Sequence, residues 1–178
     1  VNNAIQIDVN PTITWTNGGV NATNYTIEIA KDANFTDELQ TLNSVTNQID
    51  LDNLDFGSTY YWRVKANNVC NSSSFSTINS FSTSCNNDIV ITVTNETIEG
   101  ATFTWTNPND SDTFQIEVVP LGSTPTGIYT TVFTNSYTVT SLNSASNYTI
   151  YLRSACSGNT FTTLLNKNFT TLVNHCVD

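Results

Sequence analysis

Apolar and polar residues alternate along most of this 178-residue chain, with the period of two that sets one face of a strand on a core and the other in water. Tyr25, Ile27 and Ile29 form one such face, Ile49 and Leu51 a second, and Tyr60, Trp62 and Val64 a third, with Tyr61, Arg63 and Lys65 turned outward. Trp15 stands between Thr14 and Thr16. The pattern returns with Trp105, then Phe114, Ile116 and Val118, then Tyr137 and Val139, then Tyr148, Ile150 and Leu152. No window carries a 3.6-residue helical stripe. Turn-formers separate the runs, as at Asn17-Gly18-Gly19, Asp55-Phe56-Gly57, Asn107-Pro108-Asn109-Asp110 and Ser157-Gly158-Asn159. Roughly seven short strands in about 90 residues predict an all-β, two-sheet antiparallel sandwich.

The pattern is written twice. TITWT at Thr12–Thr16 is echoed by TFTWT at Thr102–Thr106, and YTIEI at Tyr25–Ile29 by FQIEV at Phe114–Val118. Leu54 with Tyr60 is matched by Leu142 with Tyr148, and Phe81–Thr83 by Phe169–Thr171. Four matches in one order, at nearly constant spacing, indicate two copies of one module. The boundary falls near Ser84, which predicts tandem seven-stranded sandwiches over 1–84 and 85–178.

Composition explains the pattern's polar half. The chain holds 26 Asn, 31 Thr and 17 Ser; Thr suits outward strand positions and Asn suits turns. Its formal net charge of −10 with only five Lys and Arg opposes binding to nucleic acid or an anionic membrane surface. No apolar run is long enough to insert in a bilayer. The start at Val1, without Met or a basic-then-apolar leader, reads as a processed protein or a portion of a longer one.

A Trp on the second strand, a Tyr opening the third, and a Leu six residues before the Tyr of a penultimate strand resemble a fibronectin type III domain, in both copies. The stretch Thr59-Tyr60-Tyr61-Trp62-Arg63-Val64-Lys65-Ala66, closing with Phe81-Ser82-Thr83, is similar to modules of secreted and surface proteins of Bacteroidetes bacteria. The resemblance implies a core built on Trp15, Tyr60, Trp62, Trp105 and Tyr148. It also implies a corner at which Leu54 is buried and the Tyr60 hydroxyl bonds back to the crossing backbone, with Tyr148 doing the same. The Pro-Gly often found between that Leu and Tyr is replaced by Phe56-Gly57 and Ser144-Ala145. An extracellular setting follows from the resemblance, and the family serves as spacer, adhesin segment and accessory domain alike.

Four cysteines allow three full pairings. Proximity suggests Cys70 with Cys85 and Cys156 with Cys176. Yet Cys70 precedes the last strand and Cys85 follows it, so strand residues 77–84 hold them ~25 Å apart, whereas a disulfide needs Cα atoms within about 7 Å. In a sandwich of this topology the turn before the last strand lies at the pole where the chain comes in, which favours Cys85 with Cys156. Cys70 and Cys176 then have partners outside this chain.

Candidate chemistry is sparse. His175 beside Cys176 lies in a terminal tail and lacks the converging groups of a dyad or zinc site. Asp50, Asp52 and Asp55, or Asp110 and Asp112, suggest calcium by composition but fit an outward strand face and ordinary turns. The aromatics left outside the core are Tyr61, Tyr129, Phe133 and Tyr151, a possible sugar or protein contact. The expectation is a non-enzyme without cofactor: a spacer or adhesion segment of a larger secreted or surface protein, its partners a cell-surface protein or glycan or flanking modules. The alternative is a ligand-binding accessory module, for carbohydrate or protein, of an extracellular hydrolase.

Overall fold

A computed structural model describes residues 2–16, 22–157 and 160–174. Every element in it is a strand, and the chain divides into two compact units, Val1–Ser84 and Cys85–Asp178. The first contains β1 (Ala4–Ile7), β2 (Thr12–Thr14), β3 (Asn24–Ala30), β4 (Gln40–Ser44), β5 (Gln48–Asp50), β6 (Thr59–Asn67) and β7 (Asn79–Thr83). One sheet runs β1-β7-β6-β3-β4 and the other is the pair β2-β5. Ile13, Tyr25, Ile27, Ile29, Leu51, Leu54, Tyr60, Trp62 and Phe81 fill the space between them.

The second unit contains β8 (Ile91–Glu96), β9 (Ala101–Trp105), β10 (Phe114–Pro120), β11 (Thr130–Val132), β12 (Ser136–Val139), β13 (Asn147–Ser157), β14 (Thr160–Phe161) and β15 (Leu165–Thr170). One sheet runs β11-β10-β13, with β14 and β15 successively on the far edge of β13; the other runs β12-β9-β8. Phe103, Trp105, Phe114, Ile116, Tyr148, Ile150, Leu152 and Phe169 make its core.

Both units carry the same corner. Tyr60 Oη accepts the Asp55 N–H at 3.0 Å, and Tyr148 Oη accepts the Asn143 N–H at 3.0 Å. Each Tyr ring stacks on the Phe of the last strand, Phe81 or Phe169, at 5.7 Å. A buried Thr completes the lock. Thr83 Oγ1 donates to the Asp55 carbonyl at 2.6 Å and accepts the Ser58 N–H at 3.0 Å; Thr171 Oγ1 does the same with the Asn143 carbonyl and the Ser146 N–H.

Five expectations need correction. The second unit has eight strands where seven were expected, because Thr160–Phe161 pairs with the end of β13 as a separate short strand ahead of β15. The first unit is not wholly antiparallel, because β1 lies parallel to β7 in the larger sheet; its counterpart β8 pairs antiparallel with β9. Trp15 is therefore half-buried just past β2, where Trp105 is 3% exposed: Ile91 stands opposite Trp105 in register, and no described strand covers the matching edge of β2. On β10 the register with β13 is unbroken and Val118 still packs on the core, but only half-buried, while the outward Glu117 is buried under the turn at Thr126 and Gly127. Cys156 is not in a turn, since β13 continues through it.

Cys85, the first residue of the second unit, is bonded to Cys156 with Cα atoms 5.7 Å apart. That closes a loop of 71 residues and constrains the unfolded chain by about 4 kcal/mol in the entropic account. Cys70 is free and exposed. His175 and Cys176 lie outside the described residues.

Candidate functional site

The outer face of the β10–β13 pair gathers the groups most suited to meeting a ligand. Ile150 and Leu152 point into the core, so alternation turns Tyr151 and Arg153 outward. Arg153 lies opposite Gln115 on β10, and its Nε donates to Gln115 Oε1 at 2.8 Å. Its guanidinium carbon sits 4.4 Å from the centre of the Tyr129 ring and 4.8 Å from that of Phe161, within cation–π range. Tyr151, next along the face, donates its hydroxyl to the Ser123 carbonyl at 3.5 Å.

Glu117 holds this arrangement in place. It stands opposite Tyr151, and its carboxylate accepts Thr126 Oγ1 and the Thr126 N–H at 2.7 Å each and the Gly127 N–H at 3.1 Å. The Thr126 hydroxyl first, then the two amides, keep its pKa below the usual carboxylate range. The β10–β11 connection turns there on Gly127, whose φ of +85° favours glycine, and so delivers Tyr129 to Arg153.

The first unit has a comparable stack with a different electrostatic outcome. Arg63 lies between Phe35 and Phe75, 4.1 and 4.3 Å from their centres, while its Nε and a terminal nitrogen reach Glu28 at 2.7 and 2.6 Å. Phe35 is presented by a loop wound on Asp32, whose carboxylate accepts the Asn34, Thr36 and Asp37 amides and the Thr36 hydroxyl; the Asp37 amide leads in lowering its pKa. Arg63 is neutralised and covered on both faces, which makes it a structural clamp. Arg153 makes no ion pair among the described residues, and its partner Gln115 is neutral.

Of the aromatics singled out in the sequence, Tyr129 lies against Arg153, and Tyr151 shares the same outward face of β13 with its hydroxyl on Ser123; both are half-buried. Tyr61 is half-buried in the other unit, and Phe133, 72% exposed, stands between β11 and β12. Arg153 and Phe161 were not foreseen; the available signal was a second outward arginine two residues beyond Tyr151. Asp50 accepts the Thr12 hydroxyl, and Asp55 pairs with Lys31 at 2.6 Å. No group of three His, Cys, Asp or Glu residues gathers among the described residues.

An all-β pair of sandwiches, each pinned by a tyrosine corner, defines a tandem of fibronectin type III/immunoglobulin-like domains. Residues 90–167 match the fibronectin type III domain family, and residues 1–87 match the Rha78A-like, N-terminal immunoglobulin domain family. The first copy thus meets an immunoglobulin-domain model where fibronectin type III was expected. Among solved structures, a two-fibronectin type-III domain segment from chicken tenascin superposes with a TM-score of 0.72 at 19% identity, covering 93% of this chain and 94% of that one. The FN1-FN3 domains of chicken CNTN1 give 0.40 at 14%, covering 96% of this chain and 62% of that one. No curated protein matches the sequence.

Proposed function

We propose that this chain is a non-catalytic spacer or adhesion segment of a larger secreted or cell-surface protein, bacterial as the Thr59–Ala66 stretch implies, built to carry load between flanking parts. The observation that carries this is the position of the disulfide. Cys85 opens the second unit and is bonded to Cys156 on β13, so tension arriving at Cys85 passes straight to β13. Strands β8 to β12 are taken off the load path. A structural disulfide also suits an oxidising, extracellular compartment.

Pulling the chain by its ends in a single-molecule instrument tests this. The oxidised second unit should release only the residues after Cys156, giving a much shorter extension than the first unit. Equal extensions from the two units would refute the load-path reading.

A second reading, a ligand-binding accessory module for a glycan or protein partner, is favoured by the unneutralised Arg153 beside Tyr129 and Tyr151. It predicts glycan-array binding that Tyr151→Ala abolishes with unchanged stability. An array silent for the wild-type chain removes the glycan form of it.

A further inference from the structure

The two units treat one edge of their smaller sheet differently, and the difference leaves a gap with a known filling. In the second unit the backbone of Trp105 faces β12, its N–H donating to the Asn135 carbonyl at 3.1 Å, while that of Thr106 faces the other way, its N–H donating to the Val90 carbonyl at 3.2 Å. Thr102, Thr104 and Thr106 therefore serve β8, and Ile89 and Ile91 are buried in that unit's core at 8% and 7% exposure. The first unit repeats the inner half of this. Trp15 donates to the Asn47 carbonyl and Leu51 to the Pro11 carbonyl, at 3.0 Å each, so strand alternation turns the main chain of Thr12, Thr14 and Thr16 to the opposite edge. No described strand pairs there, because β1 has joined β7.

Beside that bare edge is a cleft of 460 Å³ between the two sheets. Thr14, Trp15 and Thr16 form one wall, the inner face of Tyr25, Trp62 and Val64 the floor, and residues 73–77 the other wall. In the second unit, Ile91 is the residue set against Trp105; in the first, the corresponding side of Trp15 opens on the cleft.

We infer that the β2 edge of the first unit is a binding site for an extended peptide with apolar residues at alternate positions, which adds antiparallel to Thr12–Thr16 and seats its apolar side chains in the cleft. Main-chain hydrogen bonds supply the binding and the Trp15–Trp62 cleft the selectivity, the usual division of labour in strand addition. The occupant is specified by β8: residues 88–96, Asp-Ile-Val-Ile-Thr-Val-Thr-Asn-Glu, cover the equivalent edge in the same protein.

The probe is therefore a synthetic peptide of residues 88–96 added to the whole oxidised chain, with amide hydrogen exchange as readout. Saturable binding should slow exchange at Thr14 and Thr16 about tenfold or more, the effect of one new hydrogen bond apiece. N-methylation of the peptide at Thr92, which faces the partner strand in β8, should weaken binding about tenfold, whereas N-methylation at Ile91, on the far edge, should leave it nearly unchanged. These peptide variants leave the protein itself unaltered. Thr14→Pro supplies a second test, since proline is tolerated where the N–H faces outward on an edge strand, and it should abolish binding without lowering the melting temperature. No saturable binding overturns the inference. So does equal weakening by both N-methyl groups, which would mean docking without strand pairing, or concentration-dependent dimerisation through the same amides, which would make a second copy the occupant.

Discussion

Trp15 and Trp105 show how far one residue's role depends on what lies beside it. Both follow the same Thr-Ile/Phe-Thr run, and each packs edge-on to the first aromatic of the next strand, Trp15 on Tyr25 at 5.3 Å and Trp105 on Phe114 at 5.2 Å. Trp105 is sealed by Ile91, and Trp15 is open on that side. Trp105→Ala should cost ~3–5 kcal/mol, as a large core truncation does, and Trp15→Ala appreciably less; equal losses on chemical denaturation of the two units would contradict the burial difference. The alternation made both tryptophans legible as core candidates, but it says nothing about which sheet the preceding strand joins. Thr83 and Thr171 were visible only as the ends of FST and FTT. Their role as buried hydroxyls bridging the corner needs the crossing backbone of Asp55 or Asn143, which no local pattern reveals.

At the scale of elements, β10 and its following turn were half legible. Phe114 and Ile116 alternate inward as a half-buried strand should, and then the outward Glu117 is buried because a turn nine and ten residues later supplies three donors. A carboxylate with a depressed pKa adds stability that is complete above its unfolded value, about 4.3, and that is lost as pH falls through the lower folded value. The β10 and β13 amides should accordingly lose exchange protection as the solution is acidified below that range. Glu117→Gln should flatten this dependence and loosen Tyr129 from Arg153. An unchanged acid profile in the variant would show that the carboxylate does not hold the turn. The Arg153 cluster itself was invisible in advance, since it joins residues from β10, β13, β14 and the approach to β11.

For the whole molecule, the repeat in the sequence and the division in the structure meet at Ser84, and the two sandwiches follow from alternation and turn chemistry alone. The parallel placement of β1 does not, because a short strand with one apolar face can pair at either sheet edge and only tertiary competition decides. The disulfide was legible through topology: it joins the residue that opens the second unit to the end of its longest strand. That bond is the centre of the functional account. The measurement that tests it most directly is single-molecule extension of the chain before and after thiol reduction. Reduction should lengthen the unfolding step of the second unit by about 240 Å, the 71-residue loop at roughly 3.4 Å per residue, and leave that of the first unit unchanged. A second-unit step of the same length in both conditions would contradict the load path through Cys85 and Cys156.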